Sequence, residues 1–189
     1  ASFGTLLLFL GLGSMLAMPL AGSLVSRLGC RRVITAGSAL LLLMLPLLAV
    51  LSSALSLGAA LMVFGAAMGL VDVAMNIQAV EVEKRSAKAM MSGFHGFFSI
   101  GGIIGAGLVS ALLALGMSPL PAGLTIDLLL SVRWFCSQRY FLNRPLHQPD
   151  APLFVVPRGW VLCLGILCFI LFLAEGSMLD WGALFLTQH

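Results

Sequence analysis

Charge is scarce in this chain. Of its 189 residues only 9% are Asp, Glu, Lys or Arg, whereas 60% are hydrophobic. A soluble domain carries about 25% charged residues. With so few, this chain has no polar coat for a water-facing surface, so a soluble globule is excluded and a membrane protein is expected. Cysteine is scarce too. Cys30, Cys136, Cys163 and Cys168 form no disulfide pattern. Cys163 and Cys168 lie in an apolar run, where the thiol acts as a small hydrophobe. No His or Cys pair has zinc-ligand spacing, and the ten methionines form no polar array, so no metal is expected. There is no HExxH, no GxSxG and no phosphate loop with its lysine. Nothing therefore points to an enzyme, a cofactor or a nucleic-acid partner. The first apolar run lacks a basic head and a cleavage site, so it is not read as a signal peptide. The chain starts at Ala1 without Met, and the expectation is a cut end.

Apolar runs are what the sequence has in abundance. A helix crossing the bilayer core needs about 20 apolar residues. Runs at about 3–25, 33–51, 57–79, 89–115, 120–136 and 159–184 meet or approach that length. The predicted fold is an all-α membrane protein, a polytopic bundle of about six transmembrane helices. Two kinds of connection alternate between the runs. Ser52–Ser56 and Gly116–Pro119 are short and uncharged, whereas Arg27–Arg32, Glu81–Lys88 and Arg133–Arg158 carry charge. All ten basic residues fall on the charged side. Excess Lys and Arg marks the cytoplasmic face. The expected location is a bacterial inner membrane, with the basic loops cytoplasmic. Trp134 and Trp160 then fall at the cytoplasmic interface and Trp181 at the opposite one. Residues 137–158 hold Pro145, Pro149, Pro152 and Pro157 among polar residues and read as a linker. The predicted division is a bundle over 1–136, a cytoplasmic linker over 137–158, and a further helix over 159–189. The first run would go from outside to inside, which implies a missing preceding helix.

Ionisable groups inside the bilayer are costly and so need a reason. Gly65, Gly69, Asp72 and Asn76 are spaced four, three and four apart, along one helical face. The small residues let a neighbouring helix approach, and the stripe then turns polar. A buried Asp72 could exchange a proton or bind solute; the alternative is a hydrogen bond to a neighbouring helix. Ser92, His95, Ser99 and Gly102 make a second polar stripe at spacings of three, four and three. His95 there could relay a proton or make only a structural bond. Gly101 and Gly105 form a GxxxG read as helix packing. Glu175 lies past the middle of the last run, and Asp180 near its outer end beside Trp181. Asp127, in a short run with Pro121 and Gly123, is read as the weakest candidate.

Several segments resemble a known family. The loop Gly22-Ser23-Leu24-Val25-Ser26-Arg27-Leu28-Gly29-Cys30-Arg31-Arg32 resembles the signature G-x-L-x-D-R-x-G-x-[RK]-[RK] of the major facilitator superfamily. In that family it joins the second and third helices on the cytoplasmic side. Ser26 departs from it, since the family usually has Asp there, in a charge network that steadies one conformation. Gly69–Asn76 resembles the acid-x-A-x-N segment in the fourth helix of fucose-permease-like sugar–proton symporters, where the acid is linked to proton coupling. Ser92–Gly105 and Ala174–Trp181 look like uncharacterised bacterial inner-membrane permeases of that branch.

The resemblance implies that the chain is helices 2 to 7 of a twelve-helix transporter, worked by rocking two bundles about a midplane site. It implies solute and proton-coupling roles for Asp72, Asn76, His95, Ser99, Glu175 and Asp180. It implies a conformational role for Gly22, Arg27, Gly29, Arg31 and Arg32. The partners implied are the lipid bilayer, a small solute, H+ and the missing helices. The glycine–proline signature of drug antiporters is absent from Gly101–Gly107, which favours symport. The alternatives are a non-transporting sensor or scaffold of the same fold, and an inert partial gene product.

Overall fold

A computed structural model describes residues 3–142 and 158–188. It has six long helices: α1 (Phe3–Leu28), α2 (Cys30–Val50), α3 (Ala54–Ser86), α4 (Met91–Ala114), α5 (Pro119–Ser137) and α6 (Trp160–Gln188). Each is long and apolar enough to cross a bilayer. No strand occurs among the described residues. The chain is a polytopic helical membrane protein. It divides into two compact units, Ala1–Leu153 and Phe154–His189. The second unit contributes the single helix α6.

In the first unit α3 is the central helix, packed on α1 and α2. Its contact with α1 is close enough to need glycine. A Cβ on Gly65 would strike the backbone carbonyl of Leu10, one on Gly13 that of Met62, and one on Gly69 would lie 2.9 Å from that of Ser14. Leu10 meets Gly65 and Ser14 meets Gly69, so the two helices run parallel. The GxxxG that packs is therefore Gly65–Gly69. At Gly101 and Gly105, where the sequence suggests packing, an added Cβ would meet nothing within 4 Å among the described residues.

The charged connections are tighter than the sequence suggests. The stretch Arg27–Arg32 is helical except at Gly29, which turns the chain with φ 85°. That left-handed conformation favours glycine. The helical turn of α1 closes onto it, as the Gly29 N–H donates to the Val25 carbonyl at 2.8 Å. Around this corner Val25, Cys30, Val33, Ile34 and Ala74 form the core, with Leu24, Ile77 and Phe141 packed against it.

Helix α3 starts at Ser53, whose hydroxyl accepts the Ser56 N–H at 3.1 Å. Its 33 residues span about 50 Å at 1.5 Å per residue, whereas a bilayer core is about 30 Å thick. The charged end of α3 therefore projects beyond the apolar run as helix, where the sequence suggests loop. From there Glu83 accepts the N–H groups of Met90 (2.7 Å) and Met91 (2.8 Å) and so caps α4. These two donors hold its carboxyl below the usual range. The cap thus contributes above the ordinary carboxylate range and is lost as pH falls through the lowered value. Glu83→Ala is expected to speed amide hydrogen exchange at Met90 and Met91; unchanged protection would remove the cap. Helix α3 ends on Ala87 in the left-handed region (φ 53°). Ala87→Gly relieves about 1 kcal/mol of backbone strain and is expected to raise the melting midpoint of the purified protein.

The first residues of the expected linker are helical. Helix α5 runs on into a 3-10 turn, Gln138–Tyr140. The Leu142 N–H then donates to Gln78 Oε1 (3.3 Å), and its carbonyl accepts the Arg31 N–H (3.2 Å). Leu142 thereby caps the start of α2, which has no side-chain cap. The remaining predicted linker, 143–157, lies outside the described residues.

Candidate functional site

The stripe on α3 places two different chemistries on one face. Its glycine half is covered by α1, with Gly65 and Gly69 buried. Its polar half opens away from the packed core: Asp72 is exposed and Asn76 is partly buried. Asn76 Nδ2 donates to the Asp72 carbonyl at 3.0 Å and to its Oδ1 at 3.4 Å. An ionised carboxylate accepts at about four lone-pair positions. One long bond from Asn76 leaves Asp72 able to accept from a hydroxyl, an amine or a proton.

Ser14 is a site neighbour that the sequence reading missed. A Cβ on Gly69 would lie 2.8 Å from Ser14 Oγ. The hydroxyl therefore faces α3 about one turn from Asp72. A lone serine in an apolar run gives no signal of this, because it depends on how α1 is set against α3.

The second stripe is satisfied locally. His95 Nδ1 is 3.0 Å from the Met91 carbonyl, and Ser99 Oγ donates to the His95 carbonyl at 3.2 Å. Ser92, His95, Ser99 and Gly102 are all exposed. No ion pair joins His95 to Asp72 among the described residues; the salt bridge there is Arg85–Glu81 at 2.8 Å. The two stripes are thus not brought together by direct bonds. In the second unit Glu175 is exposed on α6. The side chain of Asp180 lies outside the described residues. No three His, Cys, Asp or Glu side chains gather at metal-binding range among the described residues.

The signature loop presents its charges outward, with Arg27 and Arg32 exposed. Gly29 makes the turn and the Arg31 N–H is taken by Leu142. Gly22 has open space where a Cβ would stand. Ser26 Oγ donates back to the Ser23 carbonyl at 2.8 Å. The hydroxyl is spent on its own helix and carries no charge with which to latch a neighbour.

Among the tryptophans, Trp160 stands exposed at the start of α6. Trp134 is partly buried on α5, with its indole Nε1 covered. Asp127, set aside on sequence, has a buried Oδ1.

Comparisons with known proteins find membrane proteins, two of them named as transporters. The chain is 57% identical over 187 residues to a Yersinia pestis protein named as an uncharacterised MFS-type transporter, covering 99% of this chain and 49% of that protein. It is 33% identical to the uncharacterised transporter y4wD of Sinorhizobium fredii, over 98% of this chain and 50% of that protein. It is 28% identical to the membrane protein MosC of Rhizobium meliloti, over 100% of this chain and 46% of that protein. No family model matches the chain. No solved structure matches it. The chain spans about half the length of the curated relatives it matches, and along its whole length it is similar to proteins named as transporters, one of them of MFS type.

Proposed function

We propose that this chain forms part of a secondary transporter of the major facilitator type, which moves a small polar solute with a proton by alternating access. The observation that carries the reading is the α3 stripe. Its glycines lock α3 to α1, and the next turns present Asp72 and Asn76 on the same face. A rigid helix pair that holds an open carboxylate is suited to binding solute or proton while the pair moves as one body. The resemblance to the fucose-permease-like branch favours a sugar-like solute and symport. The names of the relatives support transport in general. On this reading the chain corresponds to helices 2 to 7 of a two-bundle protein. It lies in a bacterial inner membrane, with the charged ends of its helices cytoplasmic.

The test uses the complete gene product containing this chain, in inverted vesicles and proteoliposomes. A panel of sugars and related polyols is added, and solute uptake and external pH are followed together. Uptake with alkalinisation is the expected result. Uptake without any pH change would retain transport and discard proton coupling.

One observation favours a second reading. Ser26 stands where the family signature has its acid, and its hydroxyl is bonded within α1. A non-transporting sensor of the same fold has no need of that charge latch. Binding of a panel solute with no flux in vesicles would select the sensor.

A further inference from the structure

Three helices bring arginines to one end of the first unit. Helices α1 and α3 run parallel, so the close of α1 at Arg27 lies at the same end as the charged turns of α3. Gly29 turns the chain directly into α2, which opens with Cys30, Arg31 and Arg32. The Leu142 backbone bonds both Gln78 and Arg31. Those two bonds hold the end of α5, the start of α2 and the Gln78 turn of α3 at one level. Arg139 stands in the 3-10 turn just before Leu142. Arg27, Arg31, Arg32 and Arg139 thus form a belt at the height of Gln78.

Helix rise gives the depth of that belt. Gln78 lies about 36 Å along α3 from Ala54, and Arg27 about 36 Å along α1 from Phe3. The hydrocarbon core is about 30 Å thick, and the headgroup layers bring the total to about 40–45 Å. Ser52, Ser53 and Ser56 mark the opposite edge of the core. Measured from there, the belt falls within the headgroup layer. Tyr140 is exposed beside it, with the Arg139 guanidinium 5.0 Å from the ring centre. An amphipathic ring suits that layer. Lys84 stands about 9 Å further out along α3, in water.

Among the described residues nothing neutralises the belt. No Asp or Glu occurs in α1, in α2 or over 128–142. The two acids that follow Gln78 on α3 are committed elsewhere. Glu81 pairs with Arg85 at 2.8 Å, and Glu83 accepts the Met90 and Met91 N–H groups. Arg31 and Arg32 also stand at the amino end of α2, where the positive end of the helix dipole adds to their charge. Arg27, Arg32 and Arg139 are exposed. We propose that this belt binds anionic phospholipid headgroups of the surrounding bilayer. The guanidinium fork offers a phosphate two parallel charge-assisted hydrogen bonds. A zwitterionic headgroup brings its own cation and gains less. Soluble phosphate has no acyl chain to hold it at this depth. The inference needs only that the chain spans a membrane and does not depend on transport.

The test uses the complete gene product containing this chain, in vesicles of equal parts phosphatidylglycerol and phosphatidylcholine. Lipid retained after detergent extraction is counted by mass spectrometry. Phosphatidylglycerol is expected to exceed phosphatidylcholine at least about tenfold, from roughly fivefold per arginine. Arg31→Gln, Arg32→Gln and Arg139→Gln together should bring the ratio towards one. Arg139→Gln alone should lower it about fivefold, and carries the test if the triple variant fails to fold. Lys84→Gln should leave it unchanged. Equal retention of the two lipids by the parent overturns the proposal, as does an unaltered ratio in the Arg139→Gln variant. A fall as large in Lys84→Gln would assign the preference to general surface charge and overturn the belt. Displacement of the lipid by excess inorganic phosphate would assign the belt to soluble anions and overturn it too.

Discussion

Gly65→Val is expected to cost about 3 kcal/mol or more and to abolish a stable α1–α3 pair. Overpacking a tight contact costs about 1–3 kcal/mol. Here the obstacle is backbone, the Leu10 carbonyl, which has no rotamer to change. The effect is large because lipid tails are as apolar as leucine, so burial alone gives transmembrane helices little reason to associate. Close backbone approach supplies dispersion contacts instead, and they fall away steeply with small gaps. Gly105→Ala is the control. Among the described residues nothing lies within 4 Å of a Cβ added there, and alanine exceeds glycine by about 1 kcal/mol in helix propensity. Thermal melts of the detergent-purified, full-length protein should therefore move in opposite directions. Equal melting of Gly65→Val and the parent would rule out the close α1–α3 packing.

The second large effect concerns Asp72, on the transport reading. Asp72→Asn keeps the shape and the Asn76 contact but removes the charge and the titrating proton. Solute-driven alkalinisation is expected to vanish, a loss of at least tenfold, equivalent to about 1.4 kcal/mol or more at the coupling step. Asp72→Glu should restore part of it, because the carboxyl returns one methylene further out. Asn76→Ala should have a smaller effect, since its bond to Oδ1 is long at 3.4 Å. Undiminished alkalinisation in Asp72→Asn would remove this residue from coupling and leave the solute question open.

The sequence was read well where the signal is one-dimensional. Twenty apolar residues in a row become a membrane helix almost regardless of neighbours, because lipid offers the backbone no other partner. Hence all six helices were legible. The face shared by Gly65, Gly69, Asp72 and Asn76 followed from helix period alone. The ends were less legible. Helix α3 continues through its charged turns because water tolerates helix as readily as loop, so hydropathy cannot mark where it stops. Glu83 reads as loop charge until α4 is seen to begin beside it. Leu142 reads as linker until it is found bonded to Gln78 and Arg31.

The largest differences came from partner choice. Two GxxxG patterns are equivalent in sequence, yet Gly65 and Gly69 pack while Gly101 and Gly105 have open space among the described residues. Asp72 and Asp127 are both acids in apolar runs, yet one is exposed with an amide donor and the other has a buried oxygen without a partner among the described residues. By itself the sequence determined a polytopic helical membrane protein, its six spans and the residues that share each helical face. Only the tertiary structure decided which faces meet, because a helix's period fixes the direction of its side chains within that helix, whereas the occupant of the opposite side is fixed by packing between segments far apart in the chain.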